Sequence, residues 1–215
     1  MIDTLNLKNI ENWHITKIKM KVNAIHIRYV FCALFAALIA VSGLLAVPLP
    51  GGIPIVLKNL FVVLAGTVLG SFYGGVSLLI FLAAGLVGLP VFVIPGGPAV
   101  FLTPLGGYLI GYFTGSLVAG LVAGLPKQGE KQSLCVWIKI GIASFLGFAL
   151  ICFSGALYMM ALNSLSLKAA LASGVLPFIA GDLVKLAISI PLAVKLRPIA
   201  ARYINPNFAK GHQDV

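Results

Sequence analysis

Acidic residues are nearly absent from this chain. Five occur in 215 residues, and four of them, Asp3, Glu11, Glu130 and Asp214, lie in polar flanks or a polar connection. Charge of either sign is scarce, at 9% against roughly 25% in a soluble domain. With 60% hydrophobic residues and a mean hydropathy of +1.08, this composition excludes a soluble globular protein. The alternating segments of about ten residues that mark a membrane barrel are missing too. Helices must therefore satisfy the backbone in lipid. The length leaves room for one compact helical bundle and no separate soluble domain. Cys32, Cys135 and Cys152 have no metal-ligand spacing, and an odd count in apolar context is no disulfide framework. The three histidines, His14, His26 and His212, lie in polar flanks. No G-x-x-x-x-G-K-[ST] phosphate loop occurs, which excludes ATP hydrolysis by that route. No cleavable signal peptide is expected, because about 27 fairly polar residues precede the first apolar run.

What is present is a set of long uncharged runs. Between Arg28 and Lys58 lie 29 uncharged residues, and between Lys58 and Lys127 lie 68. The first run predicts helix one over Tyr29 to Val47, ended by Pro48-Leu-Pro-Gly-Gly52. The second is broken at Gly70-Ser-Phe-Tyr-Gly-Gly75 and again between Pro90 and Pro104. This gives helices two, three and four over Leu57–Leu69, Gly74–Leu89 and Thr103–Leu125. Helix two is short for a ~30 Å hydrocarbon core, so it must be tilted, shielded by neighbours or merged with a re-entrant segment. Helix five is expected over Leu134–Leu162. Helix six is expected over Ala169–Val194, with Pro177 and Pro191 kinking it or marking its ends. Six spans put both termini on one side. Twelve of the fifteen basic residues then share that side, Lys58 and Lys168 face the other, and Lys185 lies in the membrane. The positive-inside rule makes the terminal side cytoplasmic. The net charge of +10 is thus a set of membrane anchors, and nucleic acid is not expected as a partner. The chain divides into a cytoplasmic segment 1–27, a membrane domain 28–198 and a cytoplasmic tail 199–215.

The fifth acid, Asp182, is the exception to the pattern. It stands inside the apolar stretch 175–194, with Lys185 three residues on and on the same helical face. Charges in a spanning helix are costly and face a bundle interior, where they pair or meet a ligand. Two readings stay open: a satisfied structural pair, or a site offering one acceptor and one cation. An intramembrane aspartyl protease is excluded, since that chemistry needs two carboxylates in one site.

The stretch 89–108 is apolar yet broken by Pro90, Pro95, Pro98, Pro104 and the pair Gly96-Gly97. Irregular backbone at membrane depth must be buried in protein or line a cavity. Gly106 and Gly107 are expected to let a ligand approach the backbone, and Tyr108 offers a hydroxyl and a ring. Lys58 and Asn59 belong to the same outward side, where Lys58 reads best as an interfacial lysine that snorkels. On helix one, Ala33 and Ala37 are four apart, as are Ala36 and Ala40, a spacing that lets another helix approach closely.

Four ordered motifs carry a resemblance. Ile53-Pro-Ile-Val-Leu-Lys-Asn-Leu-Phe-Val-Val-Leu-Ala-Gly66, Gly85-Leu-Val-Gly-Leu-Pro-Val-Phe92, Pro104-Leu-Gly-Gly-Tyr-Leu-Ile-Gly-Tyr112 and Gly181-Asp-Leu-Val-Lys185 together resemble BioY, over about residues 28–198. BioY proteins are biotin-specific substrate-binding (S) components of energy-coupling factor (ECF) transporters. The resemblance implies six membrane helices with biotin held near the outer face. It implies biotin contacts from Asp182, Lys185 and Tyr108, and docking of helix one, through its small residues, on a transmembrane coupling subunit served by ABC-type ATPases. Three departures stand out. The common Pro-Thr-Gly-Gly-Tyr appears as Pro104-Leu-Gly-Gly-Tyr108. The family's Gly-Gly-x-Gly-Gly run is reduced to Gly96-Gly97 before Pro98, and a glutamine usual before the helix-two core is Lys58.

The expected function is that of a biotin-binding subunit in the inner (plasma) membrane, not an enzyme, needing no cofactor or metal. Asp182 would accept ureido N–H bonds. Lys185 would pair with the valerate carboxylate or steady Asp182. Phe92, Tyr108 and neighbouring apolar groups would cover the ring, with Asn59, Gly106 and Gly107 in the same binding set. The alternatives are a carrier for another vitamin or small organic acid, proton-coupled through Asp182, a membrane enzyme using Asp182 as acid or base, and a structural subunit.

Overall fold

In a computed structural model of the chain, residues 25–43, 46–47, 55–92, 97–130 and 132–204 are described. They form α1 (Ile25–Ser42), a two-residue antiparallel ladder of β1 (Ala46–Val47) with β2 (Ile55–Val56), α2 (Lys58–Leu86), α3 (Leu105–Ala123), α4 (Leu134–Asn163), α5 (Leu167–Gly174) and α6 (Ile179–Ile204). Short 3-10 turns at Pro98–Leu102 and Leu176–Phe178 lead into α3 and α6. Among the described residues, five segments are long and apolar enough to cross a membrane. The expected all-helical membrane bundle is thus observed. The predicted bounds of 1–27 and 199–215 lie largely outside the described residues, and α6 itself runs on to Ile204.

Helix α2 is not one rod. Gly70 has φ 81° and ψ 172°, a conformation outside the helical region that favours glycine. A methyl group on Gly74 would stand 2.9 Å from the Ala65 carbonyl oxygen. Nine residues apart on a straight helix, those positions would be about 13 Å apart. The Lys58 ammonium lies 5.2 Å from the Phe81 ring centroid, where a straight helix would separate the two residues by about 34 Å. The chain therefore reverses at Gly70. The sequence break at Gly70–Gly75 is real, and two antiparallel limbs, 58–69 and 71–86, replace a single span.

The first limb has 12 residues, a rise of about 18 Å, well short of ~30 Å of hydrocarbon. Its length is tolerated because it meets almost no lipid. Leu60, Val62, Val63, Leu64, Ala65, Val68 and Leu69 are all buried. Of the three options for this short helix, shielding by neighbours is the one observed. Helix α3 packs against both α2 and α4, and glycine sets the approach. A Cβ on Gly66 would strike the Ser116 carbonyl, and one on Gly120 would strike the Ser71 backbone. Gly115 faces the Gly147 carbonyl oxygen at 2.8 Å in the same sense. Close backbone approach through small residues gives dispersion contact where lipid leaves little hydrophobic drive between helices.

Other boundaries differ from the sequence expectations for local reasons. Helix α1 ends at Ser42, and Val47 belongs to the β1–β2 ladder. The expected single helix 169–194 is divided. Pro177 sits in the 3-10 turn at Leu176–Phe178, because proline suits a first turn and disrupts an interior. Pro191 and Pro198 lie inside α6 without ending it.

The end of the bundle at Gly70 is tied together by Arg197, which is 1% exposed. Its guanidinium donates to the carbonyls of Thr67 (2.7 Å), Gly124 (3.1 Å), Ala123 (3.3 Å) and Leu125 (3.4 Å). It also donates through Nε to Glu130 Oε2 at 3.0 Å and through Nη2 to Oε1 at 3.3 Å. These carbonyls end the first limb of α2 and helix α3, where the last turn of a helix has no internal donor and a cation suits the dipole. Arg197 was expected as a cytoplasmic anchor and Glu130 as part of a polar connection. Instead they form one clamp, in which Arg197 is buried and Glu130 is half-buried. Arg197→Met is expected to lower stability by about 3–5 kcal/mol, as for one partner of a buried pair. Glu130→Gln should cost less, because the carbonyl acceptors remain. Thermal unfolding of both variants in detergent measures the difference.

Candidate functional site

At the opposite end of the bundle, α6 enters the membrane directly after the 3-10 turn and presents Asp182 in its first turn, near the helix N-terminus. Lys185 Nζ donates to Asp182 Oδ1 at 2.8 Å, and the Cys152 thiol of α4 donates to Oδ2 at 3.3 Å. Both charged residues are buried, at 8% and 5% exposure. The i, i+3 spacing that the sequence flagged does bring them together. Lys185 is thereby committed to Asp182, and the pair is close to neutral as a unit.

Helix α3 supplies two phenols beside this pair. Tyr108 and Tyr112 are both buried. The Tyr108 hydroxyl donates to the Gly174 carbonyl at the end of α5. Its ring lies on Gly155 of α4, where a Cβ would collide with it. Gly106 and Gly107 are buried, but protein fills the room they leave. Gly106 faces Phe101, and Gly107 faces Ser154 and Tyr158, whose hydroxyl donates to the Phe101 carbonyl. Gly106 therefore seats α3 against its neighbours, and Gly107 does so while also bordering an open groove of about 290 Å³ with Ile110, Ser154, Leu157, Tyr158 and Ala161.

The α2 limbs close the other side. Lys58 is 2% exposed, so the expectation of an interfacial, snorkelling lysine is overturned. Its Nζ donates to the Val91 carbonyl at 2.6 Å, and its chain lies against Gly43, where a side chain would collide with it. The ammonium also faces the Phe81 ring, a cation–π arrangement. Phe92 stacks edge-on against Phe81 at 5.5 Å and rests on Gly85. Asn59 is 8% exposed, and its Oδ1 has no hydrogen-bond partner among the described residues. A buried acceptor of this kind is expensive unless something else satisfies it.

Lys58, Phe92, Val100, Leu105, Tyr108, Leu109 and Tyr112 line one cavity of about 20 Å³. That is room for roughly one water, whereas ligand pockets typically enclose ~300–1,000 Å³. A ligand can enter only if lining side chains move. Of the sequence-predicted residues, Tyr108 and Phe92 line this cavity, whereas Asp182 and Lys185 are paired with each other outside its lining and Asn59 adjoins Lys58 in the chain. Tyr112 and Cys152 were not predicted. Tyr112 reads as one more aromatic on an apolar helix, and Cys152 as a small buried residue. Residues 93–96, with part of the proline-glycine stretch, lie outside the described residues.

The helix-one alanines separate into two faces. Ala36 is buried and Ala40 half-buried, whereas Ala33 and Ala37 are exposed beside Val30, Leu34, Leu38 and Val41. Only the Ala33–Ala37 pair is open to a neighbouring helix, so Ala36 leaves the expected docking set.

The sequence and fold are similar to those of known proteins. A model of the BioY family matches residues 15–202. The chain is 33% identical to the biotin transporter BioY of Thermotoga maritima, over 77% of this chain and 93% of that one. It is 35% identical to a probable biotin transporter BioY of Pyrococcus horikoshii, with the same coverage of both. Among solved structures it is similar to the S component for biotin from an ECF-type ABC transporter. The TM-score is 0.68 at 28% identity, covering 83% of this chain and 93% of that chain.

The pair has a stability signature. Lys185→Met should leave the Asp182 carboxylate buried without its cation and lower stability by about 3–5 kcal/mol. Adding Asp182→Asn should recover much of that loss, because the stranded charge is gone. A double-mutant cycle of melting in detergent gives the coupling directly.

Proposed function

The chain belongs to the BioY family, and on that premise we propose that it is a multi-pass membrane subunit that binds biotin for uptake. The family is one of transporters, not enzymes. The observation that carries the reading is the Asp182–Lys185 pair. It is buried within a membrane helix and set beside an aromatic cavity in a chain that matches the family over residues 15–202. An ionised carboxylate only accepts hydrogen bonds, which suits the N–H groups of a ureido head. Lys185 fixes the position of the Asp182 carboxylate at 2.8 Å, and Tyr108, Tyr112 and Phe92 supply apolar surface for a bicyclic ring. No cofactor is required by this reading.

The topology that fits is six spans with both termini cytoplasmic. The two α2 limbs are counted separately, and α5 with α6 is taken as the last crossing. Arg28 donates to the Tyr203 carbonyl and the Tyr73 hydroxyl at 3.3 Å each, which draws the start of α1, the Gly70 turn and the end of α6 to one end. Arg28, Lys127, Lys139, Lys195, Arg197 and Arg202 gather toward that end, while Lys58 and Lys168 belong to the other. By the positive-inside rule the crowded end is cytoplasmic and the site faces outward, in the plasma membrane. Delivery inward falls to a transmembrane coupling subunit and ABC-type ATPases. The coupling subunit would dock on the exposed Ala33–Ala37 face.

Calorimetry of the detergent-purified protein tests the ligand: biotin should bind tightly and riboflavin or thiamine poorly. Absence of biotin binding in a folded preparation would sink the reading. Asp182→Asn should weaken biotin by about ten- to a hundredfold, the loss of one hydrogen bond to a charged group of ~1.5–3 kcal/mol. Ala33→Leu or Ala37→Leu should leave binding intact and weaken assembly or transport. Loss of binding with assembly preserved would place that face inside the bundle.

A further inference from the structure

We propose that Lys58 is the cation that receives the ligand's carboxylate, and that it makes this chain selective for the anionic form of its ligand's tail. The proposal rests on the biotin reading above and says which end of the molecule goes where. It starts from charge balance. Lys58 is the charged residue in the cavity lining, and the other charged pair considered for the ligand is Asp182 with Lys185 on α6. Asp182 and Lys185 neutralise each other at 2.8 Å. Among the described residues Lys58 has no carboxylate within ion-pair distance, and its neighbours there include one carbonyl oxygen, at Val91, and the face of Phe81. The site therefore carries one uncompensated buried positive charge.

A buried ammonium is costly to keep out of water unless an anion or several acceptors meet it. One carbonyl and one ring leave part of its three-donor capacity unused. A ligand with one carboxylate supplies what is missing, and a neutral ligand does not. Lys58 also lines the cavity directly, together with Phe92, Tyr108 and Tyr112, so the carboxylate reaches it through the same space that holds the ring. Lys185 is unsuited to that task because its ammonium is already engaged by Asp182.

The test compares biotin with biotinamide, in which a neutral amide replaces the carboxylate, by calorimetry on the full chain in detergent. Wild type should bind biotin about ten- to a hundredfold more tightly than biotinamide, the range of one charge-assisted contact. Lys58→Gln should lose that factor for biotin, keep its affinity for biotinamide and bring the ratio near one. Lys58→Arg should retain most of the preference. Lys185→Ala, although weaker for both ligands, should still prefer biotin. Equal, tight binding of biotin and biotinamide by wild type overturns the proposal while leaving the biotin reading intact, and it does so even if Lys58→Gln fails to fold. A preference kept in Lys58→Gln but lost in Lys185→Ala overturns it in favour of Lys185. Wild type that is folded but binds neither ligand overturns the biotin reading itself, and this proposal with it.

Discussion

The reversal of the chain at Gly70 is the constraint on which the rest of the bundle depends. A positive φ of 81° turns what would be one long span into two limbs, and each end of the first limb then acquires a task. At the Gly70 end the limb's closing carbonyls lose their helical donors, and the Arg197 guanidinium meets Thr67 there while it also meets the last carbonyls of α3. At the other end the limb delivers Lys58 and Asn59 into the interior rather than to a membrane surface. Without the reversal, Phe81 could not face the Lys58 ammonium behind the cavity that Lys58 and Tyr108 line. The reversal in turn needs close neighbours. Leu125 lies against Gly70, and Ser71 lies against Gly120, so side chains at those glycines would push the limbs away from α3.

Two buried cations are handled in opposite ways, and the contrast separates structure from function. Arg197 has acceptors on four carbonyls and a carboxylate, which uses nearly all of its donors. A charge so fully met has nothing left for a ligand and serves to lock helix ends. Lys58 is equally buried but meets one carbonyl and one ring. Asp182 and Lys185 lie between these cases, paired with each other and with the Cys152 thiol. An ionised carboxylate has about four lone-pair sites, so acceptor capacity remains on Asp182 after both contacts are made.

Much of this was legible in the sequence, because isolation of a charge is a strong signal in an apolar chain. Asp182 and Lys185 were found that way, and their spacing gave the ion pair. The break at Gly70–Gly75 and the extent of α4 also followed from glycine and apolar runs. Lys58 gave the same signal, standing between uncharged runs of 29 and 68 residues. It was misread because a lysine near a loop is ordinarily a snorkelling anchor. Position along the chain could not reveal that the next limb folds back over it and brings Phe81 and Val91 to its ammonium. The Arg197–Glu130 clamp was hidden for a related reason. The two residues are 67 apart, and each reads alone as a flank charge.

The glycines mark the limit of reading residue type without packing. Gly106 and Gly107 look in sequence like a place where a ligand could touch backbone. In the bundle they are the places where Phe101, Ser154 and Tyr158 touch it instead. The same is true of Gly43 and Gly85, whose missing side chains are filled by Lys58 and Phe92. These last two contacts bear on the site directly, since they set where the ammonium and the aromatic lid of the cavity can lie. Close packing of this kind fixes the cavity walls to within a methyl group, and the 20 Å³ that remains is what is left after every small residue has been used. Admission of a ligand is therefore a repacking of Phe92 and its neighbours over glycine, which is easier than moving helices that Arg197 holds at their far ends.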